Sequence, residues 1–193
     1  MSPICVGDNA KPLAFDAEID CRTFPLPVLL VAAKNLHELE RRWFFGVDNR
    51  LPIGDRDEVR PCSSTPGGFE IGFDASGRAV SVDIPVSQLF YDDVFFESDA
   101  IPVWGIPQGL RFDMSYWPQN DSPFQVRRVR SSLSMHIRGM HVTLRWLQSD
   151  LNFSRIGECI DFGLSESGEL GAVLYRFASQ QEQVKFAQIS RSF

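Results

Sequence analysis

His136 and His141 stand on either side of Arg138-Gly139, a dipeptide with the makings of a two-residue turn. Closed there, the chain forms a hairpin in which the two imidazoles face each other across the strands. Such a pair has the chemistry of a base, or of two metal ligands. A metal site needs three or four ligands, and no Asp, Glu or Cys lies between Asp121 and Asp150. The sequence therefore predicts neither a metal nor a cofactor. The same alternation puts Arg128, Arg130 and Arg145 on the face of the histidines. That cationic stripe, with its Ser and Thr hydroxyls, would hold an anion or a nucleic acid. A hydrolase or phosphate-ester enzyme is the alternative that these five residues support.

A second cluster has the opposite sign. Leu89-Phe-Tyr-Asp-Asp-Val-Phe-Phe-Glu-Ser-Asp interleaves rings with carboxylates, and the stretch 83–99 contains no Lys or Arg. Acids at Asp92, Asp93 and Glu97 would steer a basic protein in. Phe90, Tyr91, Phe95 and Phe96 would supply the anchoring rings. Single carboxylates at Asp113, Glu158 and Asp161 have no partner at catalytic spacing. Asp161, set in an apolar strand, reads as half of a structural salt bridge.

Other signatures are missing. The sequence has no Walker A loop, G-x-G-x-x-G, G-x-S-x-G or H-E-x-x-H. Its four cysteines, Cys5, Cys21, Cys62 and Cys159, include no C-x-x-C pair. They read as reduced thiols of a cytoplasmic protein. The first residues lack the basic and apolar regions of a secretory signal, and Leu26 to Ala33 is far short of the roughly 20 residues that span a bilayer. A non-enzyme without a membrane partner is the expectation.

The 193 residues carry a net charge of −6, with 44% hydrophobic residues, and suit one domain over 1–193. The acidic balance argues against a general nucleic-acid binder. It is unevenly spread, however. Residues 1–100 hold 9 basic and 17 acidic side chains, and residues 101–193 hold 10 and 8. All twelve prolines lie at or before Pro123. The acidic part, 1–123, therefore reads as loop-rich and the part 124–193 as strand-rich. Sixteen Phe and four Trp against three Tyr call for a core built largely from rings without a polar handle.

The elements that would position these groups follow from periodicity. Ala14 to Asp20 alternates as a half-buried strand. Pro27 to Phe45 places Val28, Val31, Ala32, Leu36, Leu39 and Trp43 at helical steps, which predicts the principal helix. Residues 47–68 read as a long loop. Asp74-Ala-Ser-Gly77 turns a first hairpin, with Ile71 meeting Val80 and Phe69 meeting Val82. Leu110 to Trp117 reads as a strand. In the second hairpin Ile137 faces Met140, Met135 faces Val142 and Leu133 faces Leu144, all apolar. Ser165 to Gly168 turns a third hairpin from Cys159–Leu164 into Glu169–Phe177, with both faces apolar. Gln180 to Ile189 reads as a short helix or an edge strand. The fold expected is α+β: a mainly antiparallel sheet of three hairpins with one principal helix packed on it.

In size, acidity, Phe and Trp content and absence of catalytic motifs, the chain resembles the small cytosolic immunity proteins that neutralise bacterial toxins. The resemblance implies a protein-binding inhibitor that occludes a basic toxin or nuclease. It transfers no residue roles.

Overall fold

Alternation of apolar and polar residues runs through the chain, and in the computed structural model it becomes three sheets. The structure describes residues 2–21, 27–34, 41–47, 68–86, 108–113, 115, 125–131 and 134–190. Among these, β1 (Cys5–Ala10) and β7 (Gly109–Phe112) form a two-stranded antiparallel ribbon. The largest sheet contains β2 (Phe15–Asp20), β3 (Val28–Ala33), β4 (Arg41–Val47), β5 (Gly68–Phe73), β6 (Ala79–Pro85) and β8 (Gln125–Ser131). Their order is β2-β3-β6-β5-β4-β8, and β4 with β8 is its one parallel pair. A third sheet joins β9 (Ser134–Arg138), β10 (His141–Arg145), β11 (Asn152–Arg155), β12 (Ile160–Leu164) and β13 (Leu170–Arg176) in the order β11-β12-β13-β10-β9. The helix α1 (Gln180–Ser190) closes the chain. The architecture is broadly α+β, but it is mainly β, with a single short helix among the described residues.

The principal helix expected over Pro27 to Phe45 is not there. Residues 28–33 and 41–47 are β3 and β4 instead, and 35–40 lie outside the described residues. Leu29, Val31 and Ala33 are buried while Val28, Leu30 and Ala32 are half-buried, a period of two. An uninterrupted apolar run fits a strand covered on both faces as well as it fits a helix. Here β2 and β6 flank β3, so its backbone groups are paired on both sides. The helix that does form is the C-terminal one. Ser179 Oγ accepts from the Glu182 N–H at 3.2 Å, an N-cap, and Glu182 Oε2 reaches back one residue further to accept from the Ala178 N–H at 2.7 Å.

Each of the three predicted turns joins antiparallel neighbours, but two registers differ from expectation. In the first hairpin Ile71 pairs with Val82 rather than Val80, and Phe73 pairs with Ala79. The Asp74 carboxylate accepts from the Ser76 and Arg78 N–H groups at 2.9 and 3.0 Å, which holds a wider loop, and Gly77 takes φ 81° within it. In the second hairpin Arg138 pairs with His141, so the loop is Gly139-Met140. Gly139 takes the positive φ of 55° that an Arg there would resist. The second correction is a slip of two residues, so its side chains keep their predicted faces. In the first, Ile71 slips by two, but an irregularity between Gly72 and Phe73 leaves Phe73 only one residue from its expected partner. The third hairpin closes at Ser165–Gly168, and all seven residues of β13 are buried.

The two larger sheets share one apolar layer, to which Leu29, Ile71 and Val82 contribute from one side and Met135, Leu144 and Phe162 from the other. Phe112 of the β1–β7 ribbon sits 5.4 Å from the Phe73 ring and 5.9 Å from the Phe162 ring, both edge-on. The first residues are tied to the end of the chain. Leu170 N–H donates to Pro3 O at 2.9 Å, Cys5 N–H donates to Gly168 O at 2.8 Å, and the Trp146 indole donates to Ser2 Oγ at 3.2 Å.

Gly171 lies where the chain after β10 crosses β13, and Leu147 N–H donates to its carbonyl at 3.2 Å. A Cβ at Gly171 would stand 2.8 Å from both Leu147 Cβ and Leu151 Cδ2. Gly171→Ala is expected to destabilise the protein by about 1–3 kcal/mol. The measurement is urea unfolding, with a lower midpoint at unchanged slope; an unmoved midpoint would mean that the crossing relaxes freely.

Candidate functional site

The five-stranded sheet turns an apolar face to the shared core and a polar one away from it. Its register aligns Arg155, Asp161, Leu174, Thr143 and His136 in one row across β11, β12, β13, β10 and β9. The adjoining row holds Arg176, His141 and Arg138. Asp161 and Arg176 are therefore diagonal neighbours on adjacent strands, close enough for long side chains to meet.

They do meet. Arg176 Nη2 donates to Asp161 Oδ2, with the carboxylate 0% and the arginine 6% exposed. Burial pushes the Asp161 carboxyl up, against the pull of Arg176 and then Arg155. Burial likewise lowers the Arg176 guanidinium, which Asp161 pulls back up. Desolvation and attraction thus act against each other on both members, as in any buried pair. The salt bridge expected of Asp161 is present, but its partner was not legible. Counting from a Ser165–Gly168 turn sets Asp161 opposite Ala172; the irregularity between Gly163 and Leu164 moves it opposite Leu174, beside Arg176. Arg155, the neighbour of Asp161 on β11, also escaped notice, because nothing local marks β11 as that partner.

The histidines share the polar face but are not opposed. His136 pairs with Thr143 and His141 with Arg138, a consequence of the Gly139-Met140 loop. Burial first, and then the charge of Arg176, hold the His141 imidazole below its ordinary value. Arg145 is 4% exposed, and its guanidinium is turned into the following loop. Nε donates to Leu147 O at 2.7 Å and Nη2 to Ser149 O at 2.6 Å. It ties down the chain after β10 and does not extend a cationic stripe. Arg128 and Arg130 lie on β8, which belongs to the six-stranded sheet. The expected anion site is thus divided between two sheets and a loop. Phe90, Tyr91, Asp92, Asp93, Phe95, Phe96 and Glu97 lie outside the described residues. The chain is described up to Val86, whose N–H donates to Pro27 O at 2.8 Å.

The remaining candidates have local explanations. Asp113 accepts from the Ser115 N–H at 2.8 Å, which holds its carboxyl below the usual range. Glu158 is exposed. Burial pushes the Cys159 thiol up to about 11, so it stays protonated and unreactive at neutral pH. Among the described residues no three metal-ligating side chains converge, and no helix is long and apolar enough to cross a membrane.

Two measurements check this account. Asp161→Ala leaves Arg176 charged and buried without its carboxylate, and should cost about 3–5 kcal/mol in denaturant unfolding. Replacing both, with Asp161→Leu and Arg176→Met, should recover most of that loss; no recovery would show that the pair is not the source. For His141 the lowered folded value means that the unfolded chain takes up a proton first as pH falls. Its contribution is complete above the ordinary value of 6.5 and is lost as pH drops through the folded value. Unfolding free energy should therefore decline as pH falls from 6.5 through the folded value, and His141→Gln should flatten the decline.

Comparison with known proteins adds no relative to this picture: no family model matches the chain, and no curated protein matches its sequence.

Proposed function

We propose that the chain is a small acidic cytosolic protein that binds another protein of basic character and occludes it, in the manner of an immunity protein neutralising a toxin. The observation that favours this reading over an enzyme is the division of the anion-site residues. Arg145 serves the Leu147 and Ser149 carbonyls, and Arg128 and Arg130 lie in a different sheet from His136 and His141. A hydrolase or phosphate-ester enzyme built on those five residues needs them on one surface.

Binding asks for less. It needs a field that draws the partner in and a few rings that exclude water once it arrives. The excess of 17 acidic over 9 basic side chains in residues 1–100 supplies the field. Phe90, Tyr91, Phe95 and Phe96 supply the rings, and Asp92, Asp93 and Glu97 set the orientation of the partner.

The test is recovery of a stoichiometric protein partner by the tagged chain from its native cell. The combined reversal Asp92→Lys, Asp93→Lys and Glu97→Lys should slow association and remove most of its salt dependence. Phe95→Ala or Phe96→Ala should instead speed dissociation, by about thirtyfold for a central anchor worth about 2 kcal/mol. Recovery of no partner overturns the reading. A partner bound equally well by the triple variant would place the contact elsewhere on the chain.

A further inference from the structure

The six-stranded sheet has two ends of opposite character. One end is β2, bonded to β3, and the other is β8, bonded to β4. Among the described residues no strand pairs with the outer side of either. β2 reads Phe-Asp-Ala-Glu-Ile-Asp and β8 reads Gln-Val-Arg-Arg-Val-Arg-Ser. An open strand end is a template for another strand. Charged side chains are one of the devices that keep such ends from pairing with further copies. Here the guard at one end is the complement of the guard at the other.

We propose that copies of this chain associate edge to edge, β2 of one copy pairing with β8 of the next. The register supports it position by position. One row runs Glu18, Leu30, Asp83, Glu70, Phe44, Arg128 across β2, β3, β6, β5, β4 and β8. Glu18 and Arg128 thus end the same row, at opposite edges of the sheet. Arg130 follows two residues after Arg128, as Asp20 follows Glu18, so two of the three arginines of β8 occupy the same alternate positions as the acids, while Arg127 falls on the other alternation. Glu18 is exposed, whereas Asp16 is already met by Lys34 at 3.0 Å.

Strand direction agrees. Four antiparallel steps lead from β2 to β4, and β8 is parallel to β4, so β2 and β8 run the same way. A second copy in the same orientation therefore brings the two edges together as a parallel pair, with the positions of Glu18, Asp20, Arg128 and Arg130 on one face. The two-fold alternatives, β2 on β2 or β8 on β8, set like charges against each other. The contact is heterologous, and it repeats from copy to copy unless the rotation closes a ring.

Sedimentation velocity of the full chain across a concentration series is the test. At low salt the mean sedimentation coefficient should rise with concentration, and added salt should return it toward the monomer. Glu18→Lys and Arg128→Glu should each weaken association by about tenfold or more, with far-UV circular dichroism unchanged. An equal mixture of the two variants should associate again, because every contact between unlike copies is then complementary. A wild type that is monomeric at every concentration overturns the proposal. So does association that survives both single reversals, or a mixture of folded variants that stays monomeric.

Discussion

The structure depends on one contact sequence, the rings of Phe73, Phe112 and Phe162. Phe73 belongs to the six-stranded sheet, Phe162 to the five-stranded sheet, and Phe112 to the ribbon between them in this chain of contacts. All three are essentially without solvent exposure. Edge-on rings at these separations attract beyond the area they bury. Phe112 does so from a strand of only four residues, which could not hold a position alone. Its backbone is anchored in turn, since Phe112 N–H donates to Gly77 O at 2.9 Å in the first hairpin loop. Phe is suited to the place because it has no hydroxyl or indole N–H to satisfy in a dry layer.

What could be read from the sequence was whatever a short stretch decides for itself. Turn chemistry at Gly77, Gly139 and Gly168 marked the places where strands reverse. Alternation then assigned side chains to faces. That assignment withstood the register error of the second hairpin because it was a slip of two residues. It was less informative where alternation is hidden. Val28 to Ala33 has no polar member to reveal a period, and helical steps can be found in any such run. The allocation of strands to sheets was not legible either. β8 and β9 are close in sequence and both rich in Arg or His, yet they belong to different sheets. Only long-range pairing decides that, through Trp43 with Arg127 and its neighbours.

The polar face of the five-stranded sheet shows how site-like residues become structural. Asp161 and Arg176 are buried because β12 and β13 are central strands, and a buried charge is retained where a partner stands beside it. Arg145 anchors the chain leaving β10 in the same way, by donating to carbonyls that the loop cannot pair among themselves. The charges that remain at the margins belong to strand ends, where desolvation is slight and recognition of another molecule is cheapest. The proposed contacts accordingly lie on edges and connecting segments rather than in the sheet centres.

The ties between the first residues and the last hairpin have a consequence for biosynthesis. Pro3 and Cys5 are bonded to Leu170 and Gly168, which leave the ribosome long after them. Pro3 and Cys5 therefore cannot make these bonds until the strands between have been made. The β2–β3 hairpin can form early, but the β4–β8 pairing needs residues far along the chain, and parallel pairing of distant segments is slow. These long-range closures are therefore expected late in folding, after the local reversals have formed, so residues 3–5 find their place only once the third hairpin exists.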